Sequence, residues 1–102
     1  MSHPLTVRTQ QLIDLLPDRA IRSQLSTLFK RDGALFGPPT ETVLERVRFS
    51  VIKLTLENPS KLALAIKLFD TDTRDLLVSA EFATDLVAHE AWCKNVLSEK
   101  RA

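Results

Sequence analysis

The chain contains only two glycines, Gly33 and Gly37, and both fall inside one short stretch from Asp32 to Pro39. Turns that need a positive φ are therefore scarce everywhere else, which suits helices joined by short links and not a sheet of many hairpins. An all-β sandwich is disfavoured on this ground, and an all-α bundle of about five helices is expected. The same stretch holds Pro38 and Pro39 and reads as the one obvious loop. Leu35 and Phe36 make that loop apolar. They form a secondary candidate contact surface, although a pair tucked back over the core explains them as simply.

Hydrophobic spacing places the helices. Thr6 or Thr9 can cap a first helix carrying Leu5, Leu12, Leu15 and Leu16, which Pro17 stops. Pro17 also suits the first turn of a second helix, whose stripe is Ile21, Leu25, Leu28 and Phe29. Thr40 and Glu41 read as a cap and a first-turn acid for a third helix that ends near Asn58-Pro59. A rival exists in this region. Val47-Arg48-Phe49-Ser50-Val51 alternates with period two, as do residues 53–56 and 62–68, so a β-hairpin at about 47–56/62–69 is the alternative, giving an α+β fold. The Ala-rich run from Leu62 to Ile66 and the i, i+3 spacing of Glu45 and Arg48 favour helix.

A fourth helix is expected after a cap at Asn58 or Ser60, and another after the oxygen-rich Asp70-Thr71-Asp72-Thr73, with Asp75 in a capping-box position relative to Asp72. Between Leu76 and Leu97 the apolar stripe changes face. Either one helix is buried on two sides, or the chain breaks near Glu81 to Thr84 and restarts with Thr84 as cap; the break is the preferred reading. The helices near 41–57 and 73–98 are apolar on two sides and are expected innermost.

With 102 residues, 44% of them hydrophobic and 26% charged, one domain spanning 1–102 is expected, with residues 1–5 mobile. The formal charge of +1 provides no uniform field for nucleic acid or anionic lipid. Its distribution says more. Residues 19–31 carry a basic patch of Arg19, Arg22, Lys30 and Arg31 with no acid, whereas residues 70–90 carry six acids against Arg74 alone. Such patches can meet within one copy, between copies or with a charged partner, or simply be solvated faces. A helix-turn-helix reading fails because its second helix would lead with Thr84-Asp85 and continue to Glu90, acids that phosphates repel. Nucleic-acid association through the basic helix 19–31 is the weakest functional reading.

His89-Glu90-Ala91-Trp92-Cys93 is the most suggestive local pattern, since an imidazole and a thiolate four residues apart share a helix face and both can ligate zinc. A zinc site needs further ligands, and the other histidine is His3. Packing explains Cys93 and Trp92 with fewer assumptions. Asp70 to Asp75 resembles the start of a calcium loop, but the sixth place holds Asp75 where glycine is needed and the fifth holds Arg74. No glycine-rich phosphate cradle and no nucleophile elbow are present. No cofactor, metal or catalytic residue is expected.

The single cysteine cannot close an intrachain disulfide, Met1-Ser2-His3-Pro4 opens without the apolar core of a secretory signal, and no apolar run approaches a membrane span. A cytoplasmic location follows as the expectation. A domain this small buries only part of its apolar surface, so the function expected is a non-catalytic interaction or structural module, a homodimer or a binder of another protein. Its contact surface is placed at Phe82, Leu86, His89 and Cys93, with Leu35 and Phe36 second. The competing reading is a metal-binding or Cys/His enzyme centred on His89, Glu90 and Cys93.

Overall fold

A computed structural model describes residues 4–31, 33 and 40–101, the side chains of 100 and 101 excepted. The described residues form six α-helices and no strand: α1 (Val7–Asp14), α2 (Arg19–Leu28), α3 (Glu41–Glu57), α4 (Leu62–Thr71), α5 (Thr73–Ser79) and α6 (Ala88–Arg101). The all-α reading holds and the hairpin is not formed. Leu35 and Phe36 lie outside the described residues.

The starts of α1, α2, α3 and α5 are each set by a side-chain oxygen that takes up an otherwise unpaired N–H, whereas α4 follows Lys61 without a side-chain cap. Thr6, not Thr9, caps α1, accepting from the Thr9 N–H at 3.2 Å. Asp18 caps α2 by accepting from Ala20 and Ile21. Pro17 therefore stands one place before the cap and outside the first turn, a correction to the expected boundary. Thr40 caps α3 through the Val43 N–H. Asn58 receives the Ser60 N–H and opens a single 3-10 turn, Pro59–Lys61, that feeds α4. Asp72 alone separates α4 from α5 and caps the latter through the Asp75 N–H at 3.1 Å.

α3 is the pillar of the bundle. The pair α1 and α6 packs on it and so does the pair α4 and α5, while α2 packs on α1. Nine consecutive residues, Val47 to Thr55, are buried. Burial on every side explains the misleading alternation. The polar members Arg48, Ser50 and Thr55 are as buried as the apolar ones and Lys53 is nearly so, so period two marks no solvent face. Ser50 and Thr55 satisfy their hydroxyls on the carbonyls one turn back, Arg46 and Val51, both at 2.8 Å. Leu12, Ile13, Leu25, Phe29, Phe69 and Leu76 complete one continuous core around Phe49, Val51 and Ile52.

Gly33 follows α2 at φ +75°, and a Cβ there would stand 2.5 Å from the Phe69 carbonyl oxygen, so no other residue fits without a shift. The long 73–98 region is divided, as the preferred reading had it, with α5 ending at Ser79 and α6 beginning at Ala88. Glu81, at φ 67°, ends α5 in a Schellman turn: its own N–H reaches the Val78 carbonyl and the Phe82 N–H reaches that of Leu77. Phe82 is thereby turned into the core. The restart differs from expectation in its oxygen. Asp85, and not Thr84, accepts from the Val87 N–H ahead of α6.

Candidate functional site

His89 and Cys93 are adjacent on the inner face of α6, and both are buried. The imidazole sits 5.5 Å from the Phe49 ring of α3 and 6.3 Å from that of Phe82. Trp92 closes the group at 6.2 Å from Phe49 and 5.8 Å from Phe82. One cation lies over each phenylalanine, Arg8 over Phe49 and Lys53 over Phe82, each at 5.7 Å from the ring centre. Each cation is held by acids. Arg8 forms a fork onto Glu45, and its terminal nitrogen is 3.6 Å from Glu90. Lys53 reaches Glu57 at 3.3 Å and Glu81 at 3.7 Å.

The buried carboxylate of Glu45 accepts a second donor, the Thr6 hydroxyl at 2.6 Å. Arg46 donates to the Phe82 carbonyl at 2.6 Å and so ties the α5–α6 connection to α3. These charged groups set the electrostatics of the site. Burial pushes the His89 imidazole below its ordinary value; Glu90 and Glu45 pull it up, and Arg46 and Arg8 push it down. The Cys93 thiol is raised by burial, with Arg8 opposing and Glu45 assisting. A neutral imidazole and a protonated thiol are thus the resting states, the reverse of an activated Cys/His pair.

An open groove of about 750 Å³ runs along α6, lined by Arg8, Glu90, Lys94 and Ser98 together with Cys93 and Leu97. His89 does not line it. Among the described residues no group of three or more His, Cys, Asp and Glu side chains is placed to hold a metal ion. The zinc arrangement suggested by the spacing of His89, Glu90 and Cys93 therefore lacks its remaining ligands there.

Of the four residues placed on a contact surface, Phe82, His89 and Cys93 are buried within the single copy, and Leu86 stands out at 71% exposure. The reason is the Schellman turn. Spacings of four and then three, from Phe82 through Leu86 to His89, share a face only on a continuous helix, and the chain is not helical from Ala80 to Val87. The basic patch is partly consumed internally. Arg22 donates to the Leu16 carbonyl, and Arg31 grips Asp70 in a two-bond fork at 2.9 and 2.7 Å, joining the basic and acidic segments within one copy. Arg19 and Lys30 remain exposed.

Phe49, Arg8, Glu45 and Lys53 belong to the site without having been singled out. The available signal was α3 itself: a helix apolar on every side must bury whatever charges it carries, and these need partners from other elements. No helix among the described residues is long and apolar enough to cross a membrane. Comparison with protein-family models, with curated proteins and with solved structures finds no match.

Proposed function

We propose that the chain is a non-catalytic interaction module that self-associates through the corner between α5 and α6. One observation carries this reading: Leu86 and Val87, neighbours in sequence, are 71% and 58% exposed. Their backbone is held from both sides. Phe82 is anchored in the core just before them, and Asp85 pins the Val87 N–H at 2.9 Å. Large apolar side chains displayed on a constrained turn lose little freedom when covered, which favours association. Val7, Leu64 and Val78 are also exposed, but each sits on a different helix and singly, as is ordinary for a soluble surface.

A second copy is the natural partner because two-fold pairing sets the same apolar corner against itself. Two side chains supply only the centre of such a contact, since a stable interface covers about 800 Å² per partner. A concentration-dependent dimer is therefore expected. The absence of catalysis in this reading is supported by the neutral state of the buried His89 imidazole and the protonated state of the buried Cys93 thiol. Sedimentation velocity over a concentration series tests it. The wild type should shift from monomer toward dimer, and Leu86→Lys should remain monomeric at every concentration with unchanged helicity. A wild type that stays monomeric, or a Leu86→Lys variant that dimerises equally, refutes the reading.

A further inference from the structure

His89 is fully buried, and neither of its ring nitrogens has a hydrogen-bond partner among the described residues. That is an expensive arrangement even for a neutral ring, which carries one donor and one acceptor. Protonation would make both nitrogens donors and place a full charge between Phe49 and Phe82 with no acceptor in reach. The charged neighbours do not rescue it. Glu90 on α6 and Glu45 on α3 would welcome the charge, yet Arg8 on α1 is shared between those two acids, and Arg46 on α3 adds a further cation. Cys93 on α6 is a protonated thiol, and the cation beside Phe82 is Lys53, paired with Glu57 and Glu81.

The element bearing this histidine can be released without dismantling the rest of the bundle. Among the helices α6 packs chiefly on α1 and α3, is reached through the non-helical segment 80–87, and leaves α3 still packed against α4 and α5 when it departs. Local opening of such a unit costs less than global unfolding. We propose that His89 is an acid-operated latch: its protonation frees α6 from α1 and α3 and uncovers Phe49, Phe82 and Trp92. The latch is independent of the self-association proposed above.

The direction and size of the effect follow from linkage. An imidazole whose closed-state affinity for protons is depressed stabilises the closed form fully above its ordinary value of 6.5 and progressively less below it. If only the open form takes up the proton, the population of the open form rises about tenfold by about pH 5.5 and about thirtyfold by about pH 5. Amide hydrogen exchange reads this directly. After correction for intrinsic rates, protection of α6 amides should fall by those factors while α4 amides keep theirs, and His89→Phe, which keeps an aromatic ring in the socket, should show no such fall. Unchanged α6 protection, an equal fall in His89→Phe, or a simultaneous loss in α4 each overturn the proposal. Should His89→Phe fail to fold, the wild-type imidazole resonances decide. A His89 ring that titrates as an ordinary histidine while α6 stays protected refutes the latch, and one that stays neutral until the α6 amides open supports it.

Discussion

The Arg8–Glu45 pair is lopsided, and the lopsidedness can be measured. The Arg8 side chain is 41% exposed and that of Glu45 only 5%. Removing the cation with Arg8→Met keeps an unbranched side chain but takes the guanidinium from over Phe49 and strands the carboxylate, whose remaining donor in this cluster is the Thr6 hydroxyl at 2.6 Å. Losing one partner of a fully buried pair costs 3 to 5 kcal/mol as a rule; with Arg8 partly in water, about 2 to 3 kcal/mol is expected. Removing the charge from the other side with Glu45→Gln is milder. Arg8 keeps a hydrogen-bond acceptor, its approach to Glu90 and access to solvent, so about 1 kcal/mol is expected.

The decisive quantity is the second step taken after the first. In the Arg8→Met background the carboxylate is a liability, so adding Glu45→Gln should recover about 1 to 2 kcal/mol where the same change destabilises the wild type. Urea unfolding followed by circular dichroism resolves this reversal of sign. At a slope of about 1 kcal/mol per molar, the midpoint falls by about 2 to 3 M in Arg8→Met and by about 1 M in both Glu45→Gln and the double variant. Glu45→Gln that lowers stability equally in both backgrounds would show that Glu45 is not held as a buried charge, and the account of this site would fail.

Two further outcomes are expected. Glu81→Gly should raise the thermal midpoint by about 2 to 6 °C, since glycine relieves the left-handed backbone at φ 67° and the side chain it deletes is 85% exposed with one long contact to Lys53; an unchanged or lower midpoint removes the Schellman reading. Cys93 in the folded chain should react with a thiol reagent at least about a hundredfold more slowly than in urea. Because burial raises its thiol above the ordinary 9.0, the thiolate favours the open chain, and stability should be retained below that pH and decline as the pH rises past it; equal reaction rates in folded and unfolded chains contradict the buried placement.

What could be read from the residues alone was whatever depends on neighbours in sequence. Thr40 before Glu41 and Asp72 three places before Asp75 mark helix starts because a cap bonds within its own turn. The scarcity of glycine pointed correctly away from sheet. It also blurred the break after α5, where a Schellman turn ordinarily advertises itself with glycine and here uses Glu81. Carrying helical spacing across that break put Leu86 on one face with His89, three residues on, and the two part company in the structure. The site depended on pairings with no local trace: Arg8 meets Glu45 across 37 residues, and Arg46 meets the Phe82 carbonyl across 36.

Those distant polar contacts share a location that explains why charges were placed in the core at all. They fall at helix seams: Arg8–Glu45 between α1 and α3, Arg46 to Phe82 between α3 and the connection, and Arg48 to the Phe29 carbonyl where α2 ends. Apolar burial has no direction, so six short helices with leucine-rich faces can satisfy it in several registers. A buried charge accepts far fewer, because any register that separates it from its partner strands it. On this argument the charges of α3 restrict which face of each neighbour it meets. The double variant Arg8→Met with Glu45→Gln separates arrangement from stability. Its midpoint should match that of Glu45→Gln, yet the Trp92 and Phe49 resonances should broaden as α1 and α6 lose a unique seat on α3; sharp, wild-type-like resonances in that variant would show that apolar packing alone fixes the register.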